Sequence, residues 1–330
     1  MIYINRKSRI LTAVIILLLS CTLTGCGAKE YAFAYDPGST VSSFQITESA
    51  MARQSQLFAE DLCVASSDIT EGASVDMTGA ESAGLFDLNQ TDVIYAKGIH
   101  KRLYPASLTK VMTALVALKY GNPEDTIVVS AASAGITESG AQLCGLKAGD
   151  TLTLDQALHA LLINSANDAG LAIAEHVGGT VEHFAEMMNE EALALGATNC
   201  NFVNPHGLHD ENHYVTAYDL YLIFNEAMKY KLFSDIISME EYTTTYADKD
   251  GKPKTFEFKN TNQFLQGAYE PPENITVIGG KTGTTSAAKS CLILLSQDAS
   301  GNPYISVILR SEERALLYEE MKGLLAEINR

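Results

Sequence analysis

The chain has 330 residues, of which 46% are hydrophobic and 19% are charged, with 24 Gly and 8 Pro. This composition excludes a disordered, collagen-like or coiled-coil protein, and a chain of this length buries a sizeable core in one large or two ordinary domains. Acidic residues outnumber basic ones 40 to 23, and the net charge of −17 argues against a nucleic acid as partner.

The N-terminal segment is typical of a secretory signal. Three basic residues within positions 6–9 precede an almost unbroken apolar run over residues 10–19, which is too short to span a bilayer as a stable helix. The run leads into Leu23-Thr24-Gly25-Cys26, which resembles the lipobox of bacterial lipoproteins. The resemblance implies that residues 1–26 are a lipoprotein signal peptide and that Cys26 carries a diacylglyceryl group.

Lipidation of Cys26 predicts an extracytoplasmic protein anchored to the bacterial cell membrane. Several acyl chains hold a protein firmly in a bilayer, whereas a single chain binds the bilayer reversibly. The alternative is an ordinary signal cleaved near Gly25 or Ala28, in which case the protein is secreted.

The six cysteines follow no metal-ligand spacing, which argues against a zinc finger. Cys291 lies in an apolar segment typical of buried thiols, and we expect no disulfide among the four cysteines after Cys26.

The rest of the chain divides into a linker and one domain. Residues 27–78 are rich in Ser, Ala, Thr and Glu with weak periodicity, which predicts a mostly flexible tether, although residues 57–64 could form one packed element. Residues 79–330 form the predicted globular domain. It opens with two β-like runs, 83–88 and 92–96, which predict a hairpin.

The middle of the domain is predicted to be helical and its end to consist of strands. Apolar residues three and four apart predict helices over 107–118, 154–163, 167–176, 181–195 and 217–229. Threonine-rich or apolar runs predict strands over 242–246, 255–258, 275–278, 291–296 and 304–309, before a last helix over 312–328. Strands at both ends around a helical middle predict an α/β (α+β) fold whose sheet is built from N- and C-terminal segments.

At the start of the first predicted helix, Ser107-Leu108-Thr109-Lys110 places a hydroxyl and an amine three residues apart on one helix face. Serine needs a base to become a nucleophile, and lysine serves when burial and nearby positive charge lower its pKa. The apolar neighbours of Lys110 favour a neutral amine, and the helix N-terminus can point a backbone N–H of Ser107 at an oxyanion. Taken alone, the pattern is more often a helix N-cap beside a snorkelling lysine.

A second pattern, Ser165-Ala166-Asn167, falls between two apolar helical stretches and predicts a loop that projects into a cleft. There Ser165 can relay a proton between Lys110 and a leaving group, and the Asn167 amide can hold a substrate carbonyl or the lysine. Taken alone, a helix break capped by Ser165 or Asn167 is the simpler interpretation.

A third pattern, Lys281-Thr282-Gly283-Thr284, lies in a glycine-rich stretch between two predicted strands. Glycine permits the close approach of a ligand or another backbone. An edge strand at this point can pair with an extended peptide, whose carboxylate would meet Lys281 and the threonine hydroxyls. The alternative is a turn with a solvated lysine.

Ser-x-x-Lys, a Ser-x-Asn-type motif and Lys-Thr-Gly occur together in penicillin-binding proteins and class A β-lactamases. The longer stretches at 104–110, 164–169 and 202–208 resemble low-molecular-mass D-alanyl-D-alanine carboxypeptidases, and the resemblance extends over residues 80–330. It implies a β-lactamase/transpeptidase-like fold and a serine D,D-peptidase that needs no metal or organic cofactor. The implied substrates are peptidoglycan stem pentapeptides, and the implied covalent inhibitors are β-lactam antibiotics.

The resemblance also implies roles for single residues. Ser107 is the expected acylated nucleophile and Lys110 its base, with Ser165 and Asn167 as the second catalytic pair. The residues expected on the strand that binds the substrate carboxylate are Lys281, Thr282 and Gly283, with Thr284 supplying the second oxyanion N–H.

Three other interpretations compete with this one. A serine β-lactamase usually carries Glu-x-x-Leu-Asn beyond its second motif, but the position that should hold the glutamate is Asn201 here. A metal peptidase would use His206, His209 and His213, but this run lies in a Pro/Gly loop without a helical His-Glu-x-x-His. A non-catalytic penicillin-binding sensor normally carries transmembrane signalling segments, and none is predicted after residue 26.

Overall fold

The computed structural model describes residues 59–330 of the chain. The predicted signal peptide, the lipidation site at Cys26 and residues 27–58 of the predicted tether lie outside the described residues, and the predictions made for them stay predictions. Between residues 59 and 330, no helix is both long enough and apolar enough to cross a bilayer.

The described residues form nine strands and seven α-helices. The strands are β1 (Ala80–Asp87), β2 (Asp92–Lys97), β3 (Thr126–Val128), β4 (Thr151–Thr153), β5 (Glu241–Ala247), β6 (Pro253–Lys259), β7 (Thr276–Thr285), β8 (Lys289–Gln297) and β9 (Pro303–Ser311). The helices are α1 (Thr109–Tyr120), α2 (Leu154–Leu162), α3 (Asn167–Gly178), α4 (Val181–Ala194), α5 (Ala217–Ala227), α6 (Lys231–Ile237) and α7 (Arg314–Ala326).

The larger sheet is antiparallel and has the strand order β2-β1-β9-β8-β7. β8 and β9 are buried along almost their whole length, because α5 packs on one face of the sheet and α7 on the other. This burial explains why both strands read as nearly continuous apolar runs. The predicted α/β fold, with N- and C-terminal strands in one sheet around a helical middle, is confirmed.

The smaller sheet, with the order β3-β4-β5-β6, combines predicted and unpredicted strands. β5 and β6 match the threonine-rich alternation of the sequence. β3 and β4 have three residues each, too few to show a period of two, and neither was predicted. The seven-residue helix α6 was also not predicted, because two turns hold too few apolar positions to show the helical period.

Residues 59–78 lie on the domain, although they belong to the predicted tether. The backbone N–H of Cys63 donates to Tyr221 Oη (2.8 Å), and the Tyr218 hydroxyl donates to the Cys63 carbonyl (3.0 Å). Ile69 forms a bridge to the outer edge of β2. Residues 59–64 of the segment that was expected to pack therefore contact the domain, where the backbone of Cys63 finds hydrogen-bond partners.

Helix α1 lies in the core of the helical region. Its first nine residues are all buried, and they include Lys110. A helix that is apolar nearly all round packs in this way, since every face must meet other apolar groups. Burying the amine of Lys110 in such a helix costs free energy unless the amine has hydrogen-bond partners.

Candidate active site

Ser107 lies in a tight turn that immediately precedes α1. The 3-10 turn Ala106–Leu108 begins with Ala106 in the left-handed region (φ 48°), where a side chain is strained. The Thr109 hydroxyl donates to the Ala106 carbonyl (2.8 Å). Gly207 packs against the same carbonyl so closely that an added Cβ would overlap it. The strained turn is therefore held from two sides, and it presents the Ser107 side chain outward.

The amine of Lys110 contacts three oxygens. Its Nζ lies 2.9 Å from Ser107 Oγ, 2.7 Å from Asn167 Oδ1 and 2.6 Å from the His206 carbonyl. The Lys110 side chain has no exposed surface. Burial, reinforced by the positive charge of Lys281, holds the pKa of Lys110 well below its usual value, while the carboxylate of Asp168 opposes this shift. The arrangement places beside the Ser107 hydroxyl an amine whose lowered pKa favours the neutral form.

The second motif joins α2 to α3 and contacts both buried lysines. Ser165 takes a left-handed conformation (φ 61°) between the two helices, and Asn167 is the first residue of α3. Ser165 Oγ accepts a hydrogen bond from Lys281 Nζ (3.0 Å). The predicted connection between the two helices is present, but Asn167, the first residue of α3, is the residue of this motif that lines the open cleft at Ser107. Ser165 contacts Lys281 of the third motif, and Asn167 contacts Lys110.

The third motif lies on β7, which is an edge strand of the larger sheet. The predicted strand 275–278 continues through the glycines to Thr285, so the stretch is a strand and not a turn. A Cβ at Gly283 would lie 3.1 Å from the backbone nitrogen of Ser107, which explains why glycine suits this position. Thr284 is exposed on the free edge.

Lys281 is fully buried at the same edge. Burial lowers its pKa to about 7, and its Nζ also donates to the Thr282 carbonyl (2.8 Å). The Thr282 hydroxyl lies 2.6 Å from the hydroxyl of Thr261. Ser107, Lys110, Asn167 and Lys281 together form what we call the cleft floor.

A cleft of about 550 Å³ opens at Ser107. One side is formed by residues 284–287, at the end of β7, and another by residues 206–209. The third side is the loop of residues 138–146, named the wall loop here, of which Glu138 and Gln142 line the cleft. The cleft is open enough to admit an extended peptide beside the edge strand.

Asp168 fixes the wall loop to the second motif, and no role for it was predicted. Its buried carboxylate accepts three backbone N–H groups, from Cys144 (3.0 Å), Gly145 (2.9 Å) and Leu146 (3.1 Å). The backbone N–H of Asn167 donates to the Gln142 carbonyl (2.8 Å). The sequence shows only that Asp168 is an acidic residue in the first turn of a predicted helix. That position does not indicate that its carboxylate binds the wall loop.

The three histidines of the metal-peptidase hypothesis have separate partners. The His213 ring contacts Thr109 Oγ1 (2.8 Å), and burial lowers its pKa to about 4. The His209 ring packs edge-on against Tyr104, and His206 offers its carbonyl to Lys110. Across residues 59–330, no group of three His, Cys, Asp or Glu side chains is arranged to hold a metal ion.

The residues that bear on a β-lactamase mechanism lie away from the cleft. Asn201 bridges to Tyr214 instead of lining the cleft. Glu190-Glu191-Ala192-Leu193-Ala194 is the string closest to Glu-x-x-Leu-Asn, and its Glu191 is buried against Lys119 (2.6 Å). Neither position therefore supplies a carboxylate next to Ser107.

The expectation of unpaired cysteines agrees with the structure over the described segment. Cys63, Cys144, Cys200 and Cys291 are free thiols there. Cys63 and Cys291 are buried, and burial raises the pKa of each thiol, to about 11 and about 12 respectively. Both side chains are therefore neutral thiols in the core.

Comparison with known proteins gives one family. The family model described as D-alanyl-D-alanine carboxypeptidase matches residues 69–313. The D-alanyl-D-alanine carboxypeptidase DacF of Bacillus subtilis is 36% identical over 218 residues, which cover 64% of this chain and 53% of the relative. DacC of Escherichia coli is 31% identical over 269 residues, which cover 79% of this chain and 63% of the relative.

The fold is also similar to that of a solved structure. The Streptomyces K15 DD-transpeptidase is 28% identical and superposes with a TM-score of 0.67, covering 74% of this chain and 97% of that protein. In contrast, the chain spans between about half and two thirds of the length of the curated relatives named above. The match therefore concerns the domain that contains the cleft.

Proposed function

The chain belongs to the D-alanyl-D-alanine carboxypeptidase family, and from this membership we propose that it is a serine D-Ala-D-Ala carboxypeptidase. Its substrate is a peptidoglycan stem peptide, from which it removes the terminal D-alanine. The observation that carries the proposal is the contact of the buried Lys110 amine with both Ser107 Oγ and Asn167 Oδ1, beside an edge strand that contains Lys281. A serine hydroxyl with a neutral amine beside it is a nucleophile with its general base.

In the proposed acylation step, Ser107 Oγ attacks the carbonyl carbon of the penultimate D-alanine and Lys110 Nζ takes the hydroxyl proton. The negative charge that develops on the carbonyl oxygen is held by the backbone N–H groups of Ser107 and Thr284. The C–N bond then breaks. The departing amine receives the proton from Lys110 through the Ser165 hydroxyl, which is hydrogen-bonded to Lys281.

In the proposed deacylation step, water attacks the ester carbon and gives a proton to Lys110. The C–O bond to Ser107 breaks, and the proton returns to Ser107 Oγ, so the enzyme is restored. Lys281 and Thr282 hold the carboxylate of the substrate at the edge strand, since an ammonium and a hydroxyl are both donors to carboxylate oxygens. All of these steps use protein groups and water, and the proposal includes no cofactor.

The proposal also concerns where the enzyme works and what inhibits it. We place it outside the cytoplasm, tethered through a lipid on Cys26. This cysteine lies at the boundary between the predicted signal peptide and the segment before the domain. β-Lactam antibiotics are expected to acylate Ser107, because their strained amide meets the same nucleophile. The absence of a glutamate at position 201 favours a slowly hydrolysed adduct.

Time-resolved intact mass spectrometry of the protein mixed with benzylpenicillin tests this function. We expect a penicilloyl adduct on Ser107 that lasts many minutes, and release of D-alanine from a pentapeptide in a parallel assay. Ser107→Ala should lose both, since it removes the hydroxyl that contacts the Lys110 amine and lines the cleft. Retained D-alanine release in that variant would end the proposal, and rapid return to the free mass with hydrolysed drug would indicate a β-lactamase.

A further inference from the structure

Glu138 supplies the only carboxylate among the described residues that line the active-site cleft. It lies on the wall loop, and its side chain is exposed. It takes part in none of the ion pairs formed between residues 59 and 330. The mechanism proposed for the cleft floor does not use this group, so a negative charge faces the cleft without an assigned role.

The floor and the side wall of the cleft carry different ionisable groups. The cleft floor contains the amines of Lys110 and Lys281, and the proposed function assigns Lys281 to the terminal carboxylate of the substrate. Glu138 lies on the side wall. The acyl part of a peptide attached to Ser107 occupies the cleft that Glu138 also lines.

We infer that Glu138 recognises a free amino group in the acyl part of the substrate, on the residue that precedes the terminal D-alanyl-D-alanine. This inference rests on the proposed carboxypeptidase function, which sets the direction of the peptide in the cleft. An ammonium group at this position forms a charge-assisted hydrogen bond with the carboxylate. A peptide with a carboxylate at one end and an amine further along matches the charges of the cleft at both places.

The wall loop that carries Glu138 is anchored through its later residues. Asp168 binds three consecutive backbone N–H groups at residues 144–146, and Asn167 binds the carbonyl of Gln142. The loop is thus attached to the same helix start that holds Lys110. The anchored part of the loop keeps the exposed residues 138–140 at the side of the cleft, where a carboxylate can contact a bound peptide.

Two synthetic peptides test the inference. Both end in L-Lys-D-Ala-D-Ala, one with a free ε-ammonium group and one with the ε-amine acetylated. The measurement is the ratio of kcat/KM for D-alanine release from the two peptides at low ionic strength. For the wild-type protein we expect a three- to five-fold preference for the free amine, about the contribution of one solvent-exposed ion pair, and we expect salt to reduce it.

Three variants sharpen the measurement. Glu138→Gln should bring the ratio close to one, and Glu138→Lys should bring it below one by repulsion. Glu190→Gln makes the same chemical change on the exposed face of α4, away from the cleft, and should keep the wild-type ratio. The rate of Ser107 acylation by benzylpenicillin, measured in parallel, checks that the cleft floor of each variant is intact.

The possible results separate this inference from the function on which it rests. A wild-type ratio near one, or a preference that survives in Glu138→Gln, overturns the assignment of Glu138. Loss of penicillin acylation in Glu138→Gln also overturns it, because the residue would then act at the nucleophile. If the wild-type protein releases D-alanine from neither peptide, the proposed carboxypeptidase function is overturned with it.

Discussion

The cleft floor and the wall loop face the same cleft but are stabilised in different ways. The amines of the floor are fully buried, and each has at least two oxygen partners within 3.0 Å. Residues 138–140 of the wall loop are exposed. The loop is attached mainly through one carboxylate, that of Asp168, and one backbone hydrogen bond.

Under the proposed function, the floor carries the chemistry and the carboxylate site, and the wall selects between substrates. Burial is the main cause of the lowered pKa of Lys110, which is why this amine lies among fixed partners in the core. Recognising a solvated peptide requires groups that can reach it from an exposed loop held by a rigid scaffold. Changes in the floor are therefore expected to act mainly on kcat, and changes in the wall mainly on substrate preference and KM.

The largest effect is expected from removing the base. Lys110→Ala takes away the amine next to Ser107 Oγ and should lower the rate of acylation by benzylpenicillin by a factor of about 10³ or more. The measurement is the time course of the penicilloyl mass. Lys322→Ala removes an exposed lysine from α7 and should react at the wild-type rate. A Lys110→Ala rate within about ten-fold of wild type would show that another group activates the serine.

Two glycines test the contrast in packing directly. Gly207 (φ 83°) abuts the Ala106 carbonyl at the floor, whereas Gly140 (φ 82°) in the wall loop has nothing within 4 Å of an added Cβ. Gly140→Ala carries only the left-handed strain and should cost about 1 kcal/mol of unfolding free energy. Gly207→Ala adds steric overlap and should cost about 3 kcal/mol or more.

Urea denaturation measures both costs, and penicillin acylation gives a second readout. We expect Gly207→Ala to slow acylation, because the overlap displaces the turn that carries Ser107. Gly140→Ala should leave acylation close to wild type. Equal losses of stability in the two variants would contradict the difference in packing between floor and wall.

The floor was predictable from the sequence to a degree that the wall was not. Ser107, Lys110, Asn167 and Lys281 occur in short patterns whose chemistry is visible in the residue types, and the structure brings them together. Hydrophobic periodicity predicted the helices at whose starts Ser107, Lys110 and Asn167 lie, but it ended the predicted strand at residue 278, before Lys281. What the patterns do not give is the third partner of Lys110, the carbonyl of His206, because a backbone group has no sequence signature.

The wall loop has no periodicity, and its contacts join residues more than twenty positions apart. Asp168 stands beside a predicted catalytic residue, but its partners are backbone N–H groups, which any sequence provides. Strands of three residues, such as β3 and β4, escape prediction for a related reason, since their pairing depends on tertiary neighbours. Packing of residues 59–78 likewise depends on partners such as Tyr221, which lie far away in the chain.

A pH profile of Asp168→Asn tests the coupling between wall and floor. The carboxylate of Asp168 raises the pKa of Lys110, so its removal should lower that pKa further. A base is active above its pKa and loses activity as the pH falls through it. The acidic limb of the penicillin acylation profile should therefore move to lower pH in the variant.

The same variant should also loosen the wall loop. Asn replaces one of the two carboxylate oxygens by an NH₂ group, so a backbone N–H of the loop loses its acceptor. Leaving that N–H without a partner costs about 1–3 kcal/mol of local stability. We expect KM for the peptide to rise several-fold. Asp250→Asn, an exposed change in the turn between β5 and β6, is the matched control. An acidic limb that moves to higher pH would contradict the assigned direction of the Asp168 effect.

The smallest effect is expected where one hydroxyl orients another. Thr261 lies 2.6 Å from the Thr282 hydroxyl, which is proposed to bind the substrate carboxylate. Thr261→Val keeps the shape of the side chain but removes this hydrogen bond, so the Thr282 hydroxyl is free to rotate. A net hydrogen bond contributes about 0.5–1.5 kcal/mol, and we expect KM for D-alanine release to rise about three-fold with little change in kcat.

Thr255→Val, on an exposed position of β6, is the control and should not change KM. Because penicillin also carries a carboxylate, its second-order acylation rate should fall by the same factor as kcat/KM. A fall in kcat at constant KM would instead show that Thr261 affects the transfer of the acyl group. That result would indicate that Thr282 acts in acyl transfer and does not bind the substrate carboxylate.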